Sequence, residues 1–175
     1  MTNMIFLLYF SIFNKKDKRH SMTLEEAKNY KLSKHFTLYE LIRSDAAQKN
    51  GIYNIPNIYT INELRRLCEY ILEPIRQQID KPIIVTSGYR SYKLNKFIGG
   101  AQNSCHVSGQ AADIILYEGN KELMKLILKM VEEDKIDART IIFEKCYNNN
   151  TDCRWIHIDI NGKKHSYRHN KVIFN

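Results

Sequence analysis

The sequence predicts one α+β domain, in which helices pack on one side of a mostly antiparallel sheet. Its 175 residues, 43% apolar and 26% charged, have the composition of a globular protein and suffice for one hydrophobic core. Apolar residues recur at helical spacing over residues 61–79. After residue 82, several short apolar or alternating runs have the length of strands, and two of them are ordered as a hairpin.

The first helices are predicted from their capping signals. Thr37–Glu40 has the pattern of a capping box, in which a threonine and a glutamate three residues later satisfy each other's amides. A short helix is expected over Asp45–Asn50, ended by Gly51. A second capping box, Thr60–Glu63, is expected to open a five-turn amphipathic helix, with Pro74 as the place for a kink. The apolar face of this helix comprises Ile61, Leu64, Cys68, Ile71, Leu72, Ile75 and Ile79.

The remaining elements follow from runs of apolar residues and from the turn residues between them. Residues 87–103 are expected to be loop or short helix, with a flexible turn at Gly99 and Gly100. In chain order, strands are predicted over Pro82–Thr86, Ala111–Leu116, Thr140–Glu144, Trp155–Ile160 and Lys171–Phe174, a helix over Asn120–Val131, and a hairpin loop over 148–152.

Residues 1–35 are predicted to be an N-terminal extension that precedes a domain over 36–175, with a short helix at Leu24–Tyr30. The apolar run Met4–Phe10 is too short to span a bilayer, so no stable membrane insertion is expected. Positive charges follow this run, whereas a secretory signal carries them before its apolar segment. A loose or packed extension is therefore the favoured interpretation, and a signal peptide is the alternative.

The net charge of +8 would attract polyanions such as nucleic acid, anionic lipid or bacterial wall polymers. No helix-turn-helix, zinc-finger or RNA-binding signature accompanies it, so we expect no nucleic-acid partner. An ordinary basic surface and attraction to walls both remain open. The four cysteines form no C-x-x-C pair. Cys68 is expected in the core, while Cys146 and Cys153 could pair across the hairpin or remain free thiols.

Two predicted strands carry polar side chains in places that need an explanation. On the last strand of the hairpin, Trp155, His157 and Asp159 share one face, and three isoleucines occupy the other. Asp113 lies among apolar neighbours, where a carboxylate is costly to bury unless it is paired or binds a metal. Two interpretations stay open, a metal site or an ordinary hydrogen-bonded histidine and an Asp–Arg pair. The other histidines are expected at the surface: His20, His35, His165 and His169.

Ordered motifs resemble those of one enzyme family. They are Phe36–Leu41 with Arg43–Asp45, Leu72–Arg76, Ser87-Gly-Tyr-Arg-Ser91, Ser104-x-His106-x-x-Gly109-x-Ala111-x-Asp113 and Trp155-x-His157. Together they resemble the M15 family of zinc peptidases, the D-Ala-D-Ala carboxypeptidases and related enzymes that cut bacterial cell-wall peptides. The likeness extends over most of the chain and implies a Hedgehog/DD-peptidase-like fold.

The resemblance implies that His106, Asp113 and His157 bind Zn²⁺. Three protein ligands leave a fourth position open for water, as in catalytic zinc sites. Gly109 is expected to let the backbone turn tightly between the first two ligands.

The resemblance also implies a catalytic acid just upstream of the last ligand. Some branches place it three residues before that histidine, where this chain has Arg154, so the simplest pattern is broken. Glu144 matches the acid of the subgroup that the chain resembles most, and Asp152 is a second candidate. The acid would take a proton from water and pass it to the leaving amine.

Three further residues are candidates for contact with substrate. Arg90 is expected to stabilise the oxyanion or to clamp a substrate carboxylate, with a structural salt bridge as its alternative. Tyr89 belongs to the same loop. Ser104 is expected to hydrogen-bond the peptide, and its alternative role is to cap the ligand loop.

We therefore expect a monomeric zinc peptidase that cleaves peptidoglycan stem peptides. The bond would be D-Ala-D-Ala, as in a carboxypeptidase, or an internal one, as in an endolysin. Such work implies the cell envelope, in the periplasm or the wall, or a phage enzyme released into its host. The alternative, favoured by Arg154, is a non-catalytic zinc-containing module that binds walls or belongs to a virion.

Overall fold

A computed structural model describes residues 22–146, 152–160 and 171–175, and it confirms the α+β class. Five strands form one sheet in the spatial order β1-β2-β4-β3-β5. Neighbouring strands are antiparallel except β3 and β5, which are parallel. The strands are β1 (Ile84–Ser87), β2 (Ala111–Ile115), β3 (Thr140–Glu144), β4 (Trp155–Asp159) and β5 (Lys171–Phe174).

The helices begin where short polar side chains cap them. Thr37 and Glu40 form the predicted capping box, but the box expected at Thr60 is wrong. The long helix starts one turn earlier, because the side chain of Asn57 accepts the amide of Thr60 at 2.9 Å. The helices are α1 (Leu24–Asn29), α2 (Leu38–Ile42), α3 (Asp45–Lys49), α4 (Ile58–Leu67), α5 (Glu73–Ile79), α6 (Tyr92–Phe97) and α7 (Lys121–Glu132).

A π-helical turn over Cys68–Leu72 joins α4 to α5, so the two form one long helical segment. Pro74 lies in the first turn of α5, directly after this wider turn. A π turn is a common response to a disturbed helical hydrogen-bond pattern, and here it stands where the kink was expected. All seven predicted apolar positions of the segment are buried. Each leucine and isoleucine among them contributes about 1.5–3 kcal/mol of transfer free energy.

The two faces of the sheet have different roles. One face packs its isoleucines against the helices in a single core, with Ile114, Ile156 and Ile158 fully buried. The opposite face carries Asp113 and His157, which are paired across β2 and β4. The loop between β1 and β2 returns over this polar face. The fold thus keeps apolar burial and polar chemistry on opposite sides of one sheet.

Part of the predicted extension belongs to the fold, since Ala27 and Leu32 are buried in the same core. His35, expected at the surface, is partly exposed but not isolated there. His35 is half-buried and its Nδ1 contacts Glu73, a buried carboxylate of α5 that needs polar partners. All four cysteines are free thiols. Among the described residues no helix is long and apolar enough to cross a membrane. The predictions for Met4–Phe10 and for most of the hairpin loop fall outside the described residues. So do those for three histidines, His20, His165 and His169.

Candidate metal centre

Two strands and one loop bring the predicted metal ligands together. Asp113 on β2 lies directly opposite His157 on β4, so their side chains leave the sheet on the same face. His106 comes from the β1–β2 loop. One ligand atom from each of the three residues lies within 4.8 Å of the others, a spacing that could hold a metal ion. His106 and Asp113 are buried, and His157 is partly exposed.

The carboxylate of Asp113 is the hub of this cluster. Its Oδ1 lies 2.8 Å from Nδ1 of His157 and 3.3 Å from Nε2 of His106. Its Oδ2 accepts a hydrogen bond from Arg90 at 2.8 Å. Burial opposes ionisation, but the contacts with His106 and His157 outweigh it and hold the pKa of Asp113 well below its usual range. The carboxylate is therefore anionic, the form in which it can bind a metal.

A backbone carbonyl fixes the tautomer of His106. Nδ1 of His106 lies 2.7 Å from the carbonyl oxygen of Gly88, which can only accept, so Nδ1 must carry the proton. In the neutral ring the lone pair is then on Nε2, the nitrogen that faces Asp113. Gly88 is held in place by α2, because the amide of Tyr89 donates to the carbonyl of Leu41 at 2.6 Å.

The ring of His157 lies between two carboxylates. Nδ1 faces Asp113, and Nε2 lies 3.6 Å from Oδ2 of Asp159. Burial lowers the pKa of His157, but the two carboxylates outweigh burial and raise this pKa to about 9. In the metal-free protein the ring is therefore cationic at neutral pH. A metal must displace a proton from this histidine in order to bind.

The donor set fits a zinc ion. Two imidazoles and one carboxylate are ligands that zinc accepts, and three of them leave a position for water or substrate. The carbonyl of Gly88 leaves Nε2 of His106 to face the metal position, and Asp113 is ionised by its surroundings. Each ligand also has a partner on its far side, which is typical of metal centres.

The comparison with known families agrees with this geometry. The family model for Peptidase M15 matches residues 34–159, most of the chain.

The chain belongs to the M15 peptidase family.

The resemblance inferred from the motifs is thereby confirmed. A zinc D-Ala-D-Ala carboxypeptidase of Streptomyces albus G is 54% identical to this chain over 35 residues. That match covers 20% of this chain and 14% of the Streptomyces protein, so the similarity to this relative is local.

Arg90 of this M15 peptidase lies beside the predicted ligands. Its Nη2 donates to Asp113, its Nε donates to the hydroxyl of Ser87 at 2.9 Å, and its amide donates to the carbonyl of His106 at 3.1 Å. A bulge in β1 brings Ser87 opposite Asp113 and so directs the loop toward the centre. Arg90 thus contacts one predicted ligand through its side chain and another through its backbone.

The two candidate acids occupy different surroundings. Glu144 ends β3 directly opposite Trp155, two residues beyond Ile142, which is paired with His157. Residues two apart on a strand share a face, so Glu144 is on the face of the centre. Its carboxylate accepts a hydrogen bond from Asn175 at 2.9 Å. Asp152 accepts the amides of Asn120 and Cys153 and lines a separate groove with Glu118 and Lys121.

A groove of about 320 Å³ lies next to Arg90, and its lining residues do not include the three predicted ligands or Glu144. Tyr89 and Arg90 line it, together with Arg43 at the end of α2 and two apolar residues of the α6 region, Leu94 and Ile98. Ser104 lies outside these lining residues, in the turn that leads to His106, where its carbonyl accepts the amide of Val107 at 3.0 Å. Gly109 has a φ of +75°, in agreement with the predicted tight turn.

Sequence reasoning missed two residues that hold this site. The buried side chain of Asn54 donates to the carbonyls of Ile42 and Tyr89 and accepts the amide of Ser91, which fastens the Ser87–Ser91 loop. No local sequence pattern marks Asn54, because each of its hydrogen-bond partners is at least 12 residues away in the chain. Arg139 pairs with Asp159 behind His157. Strand alternation had placed Asp159 on the face of His157, but nothing in the sequence named its partner.

Proposed function

We propose that this M15 chain is a zinc-dependent peptidase that hydrolyses peptide bonds in peptidoglycan stem peptides. The observation that carries the proposal is the cluster of His106, Asp113 and His157, whose ligand atoms lie within 4.8 Å of one another. The name of the Streptomyces relative, a zinc D-Ala-D-Ala carboxypeptidase, supports the choice of metal and substrate class. A zinc ion held here would polarise the scissile carbonyl and lower the pKa of a water molecule toward 7.

Glu144 is the residue that we assign to proton transfer. It stands on the face of the centre, about 7 Å along β3 from the residue paired with His157. From there its carboxylate takes a proton from the attacking water and delivers it to the leaving amine. Glu144 is preferred to Asp152, because Asp152 already accepts two backbone amides in a different groove. Arg154 at the more usual acid position is then no obstacle, since the acid comes from the neighbouring strand.

Arg90 has two roles in this proposal, one toward the metal ligand Asp113 and one toward the substrate. Its bond to Oδ2 of Asp113 leaves Oδ1 directed at the two histidines, which orients the ligand. The same guanidinium lies beside the predicted ligands, and we assign it to attract the negative charge that develops on the scissile carbonyl. Tyr89 and Ser104 are assigned to contacts with the peptide.

The experiment that tests the proposal is digestion of defined substrates. Purified protein with Zn²⁺ is incubated with peptidoglycan fragments, and the new termini are identified by mass spectrometry. Loss of a terminal D-Ala would establish a carboxypeptidase, and cleavage inside the stem or cross-bridge would establish an endopeptidase. The zinc-loaded Glu144→Gln variant is the control, since it should yield neither product.

The second candidate function is a non-catalytic module that binds walls or belongs to a virion. Arg154, at the position of the usual acid, is the observation that favours it. A folded, zinc-loaded protein that sediments with cell walls and releases no new termini would support this function and contradict the first.

A further inference from the structure

Asp159 is a buried carboxylate that neither the ligand set nor proton transfer uses. It is 3% exposed at the end of β4, two residues after His157 and on the same face. The guanidinium of Arg139 makes a bidentate contact with it, in which Nε donates to Oδ1 at 2.8 Å and Nη2 donates to Oδ2 at 2.9 Å. The amide of Arg139 also donates to the carbonyl of Asp159 at 2.8 Å. A buried charge so fully paired holds a fixed position.

This pair contacts the surroundings of two predicted ligands. Oδ2 of Asp159 lies 3.6 Å from Nε2 of His157, longer than a hydrogen bond but close enough for charge attraction. Nη2 of Arg139 lies 3.0 Å from the sulfur of Cys105, the residue before His106. Because both oxygens of Asp159 are bonded to Arg139, this carboxylate is not free to become a ligand.

We propose that Asp159 and Arg139 are positioning residues for the metal centre. Asp159 attracts Nε2 of His157 by charge and so orients the ring with Nδ1 toward Asp113 and the metal position. Arg139 holds Asp159 in place and steadies the loop of His106 through Cys105. Gly88 performs the corresponding task for His106 with a neutral carbonyl. The inference rests on the proposed function in one respect, that His157 is a metal ligand.

The test measures Zn²⁺ dissociation constants by chelator competition and apo-protein melting temperatures. Asp159→Asn keeps the shape of the side chain but not its charge, and we expect its Zn²⁺ affinity to fall about 10- to 100-fold. The visible spectrum of the Co²⁺-substituted variant should shift as well. Glu73→Gln is the matched control, another buried carboxylate whose partners, Ser33 and His35, lie outside the centre. It should change stability without changing Zn²⁺ affinity or the Co²⁺ spectrum.

The results separate this inference from the proposed function. If His157→Ala loses zinc while Asp159→Asn binds it with wild-type affinity, the positioning role is wrong and the ligand set stands. If His157→Ala retains stoichiometric zinc, the ligand set itself is wrong and the positioning role with it. Should Asp159→Asn fail to fold, Arg139→Lys serves as the second variant. The side chain of Arg139 is 47% exposed, so its replacement disturbs the core less. Weaker zinc binding by Arg139→Lys supports the inference, and unchanged binding overturns it.

Discussion

At the scale of single residues, Glu144 separates an enzyme from a binding module. We predict that Glu144→Gln lowers kcat by about 10²- to 10⁴-fold, because glutamine keeps the shape but cannot accept the proton. Zinc content should not change, since Glu144 contacts none of the predicted ligands directly. Release of new peptide termini and metal analysis of the same sample are the measurements.

Asp152→Asn is the matched control, and it should retain activity. If the asparagine variant at 152 is inactive and the glutamine variant at 144 is active, the proton carrier is Asp152.

Arg90 supports a second prediction at this scale. Arg90→Lys keeps the charge but cannot donate to Ser87 and Asp113 together. We expect kcat to fall on the order of 100-fold and Zn²⁺ affinity about 10-fold. Steady-state kinetics at saturating zinc and chelator competition separate these two effects. A stable variant with wild-type kcat, KM and zinc affinity would exclude both roles.

The residues of the site were only partly predictable from sequence. His106, Asp113 and His157 belong to motifs with fixed spacing, so the family resemblance located them before the fold was known. Asn54 and Arg139 were not found, because their roles depend on contacts between segments that are distant in sequence. The strand pattern placed Asp159 on the face of His157, but its role depends on the pairing with Arg139, which only the fold reveals.

At the scale of elements, the contact between α2 and the Ser87–Ser91 loop positions the centre. A Cβ on Gly88 would lie 2.3 Å from the carbonyl oxygen of Leu41, so any side chain must push the loop away. We predict that Gly88→Ala lowers the free energy of unfolding by about 1–3 kcal/mol. It should also weaken zinc binding, because the carbonyl of Gly88 orients His106. Thermal melting and zinc titration are the measurements.

Gly51→Ala is the matched control for this prediction. Gly51 has a φ of +59°, and a Cβ added there would meet no atom within 4 Å, so alanine strains the backbone without displacing a neighbour. It should lose stability and keep wild-type zinc affinity. Equal zinc affinity in the variants at 51 and 88 would contradict the role of the α2 contact.

Most elements followed from sequence, and the one misplaced start has a local cause. Thr60 and Glu63 have the spacing of a capping box, but the side chain of Glu63 does not accept the backbone amide of Thr60. Its carboxylate instead accepts hydrogen bonds from Arg66 and Gln110. Asn57, at least as good a cap as threonine, then begins the helix one turn earlier. The capping pattern alone cannot show whether Asn57 or Thr60 begins the helix, because Gln110, from a loop distant in sequence, hydrogen-bonds Glu63.

A buried carboxylate also links α5 to the chain before α2, and this contact predicts a pH dependence. Burial raises the pKa of Glu73, but hydrogen bonds from Ser33 and His35 outweigh it and bring this pKa below its usual value. The group therefore stabilises the fold fully above about pH 5, and this contribution is lost as pH falls through the pKa of folded Glu73. Denaturant unfolding of wild type and Glu73→Gln should differ at pH 7 and converge in acid. A constant difference down to low pH would contradict this linkage.

At the scale of the whole molecule, the net charge of +8 predicts how the protein would reach the proposed wall substrate. Bacterial walls carry anionic polymers, so long-range attraction should raise the local concentration of the protein on intact walls. Salt removes this attraction, because the Debye length falls from about 30 Å at 0.01 M to about 3 Å at 1 M. We therefore expect the rate on intact walls to fall steeply as salt is raised over this range. The rate on a short, uncharged stem-peptide analogue should change little, since its cleavage depends on the metal centre alone. Parallel assays on both substrates test the prediction, and equal salt dependence would show that the charge plays no part in reaching the wall.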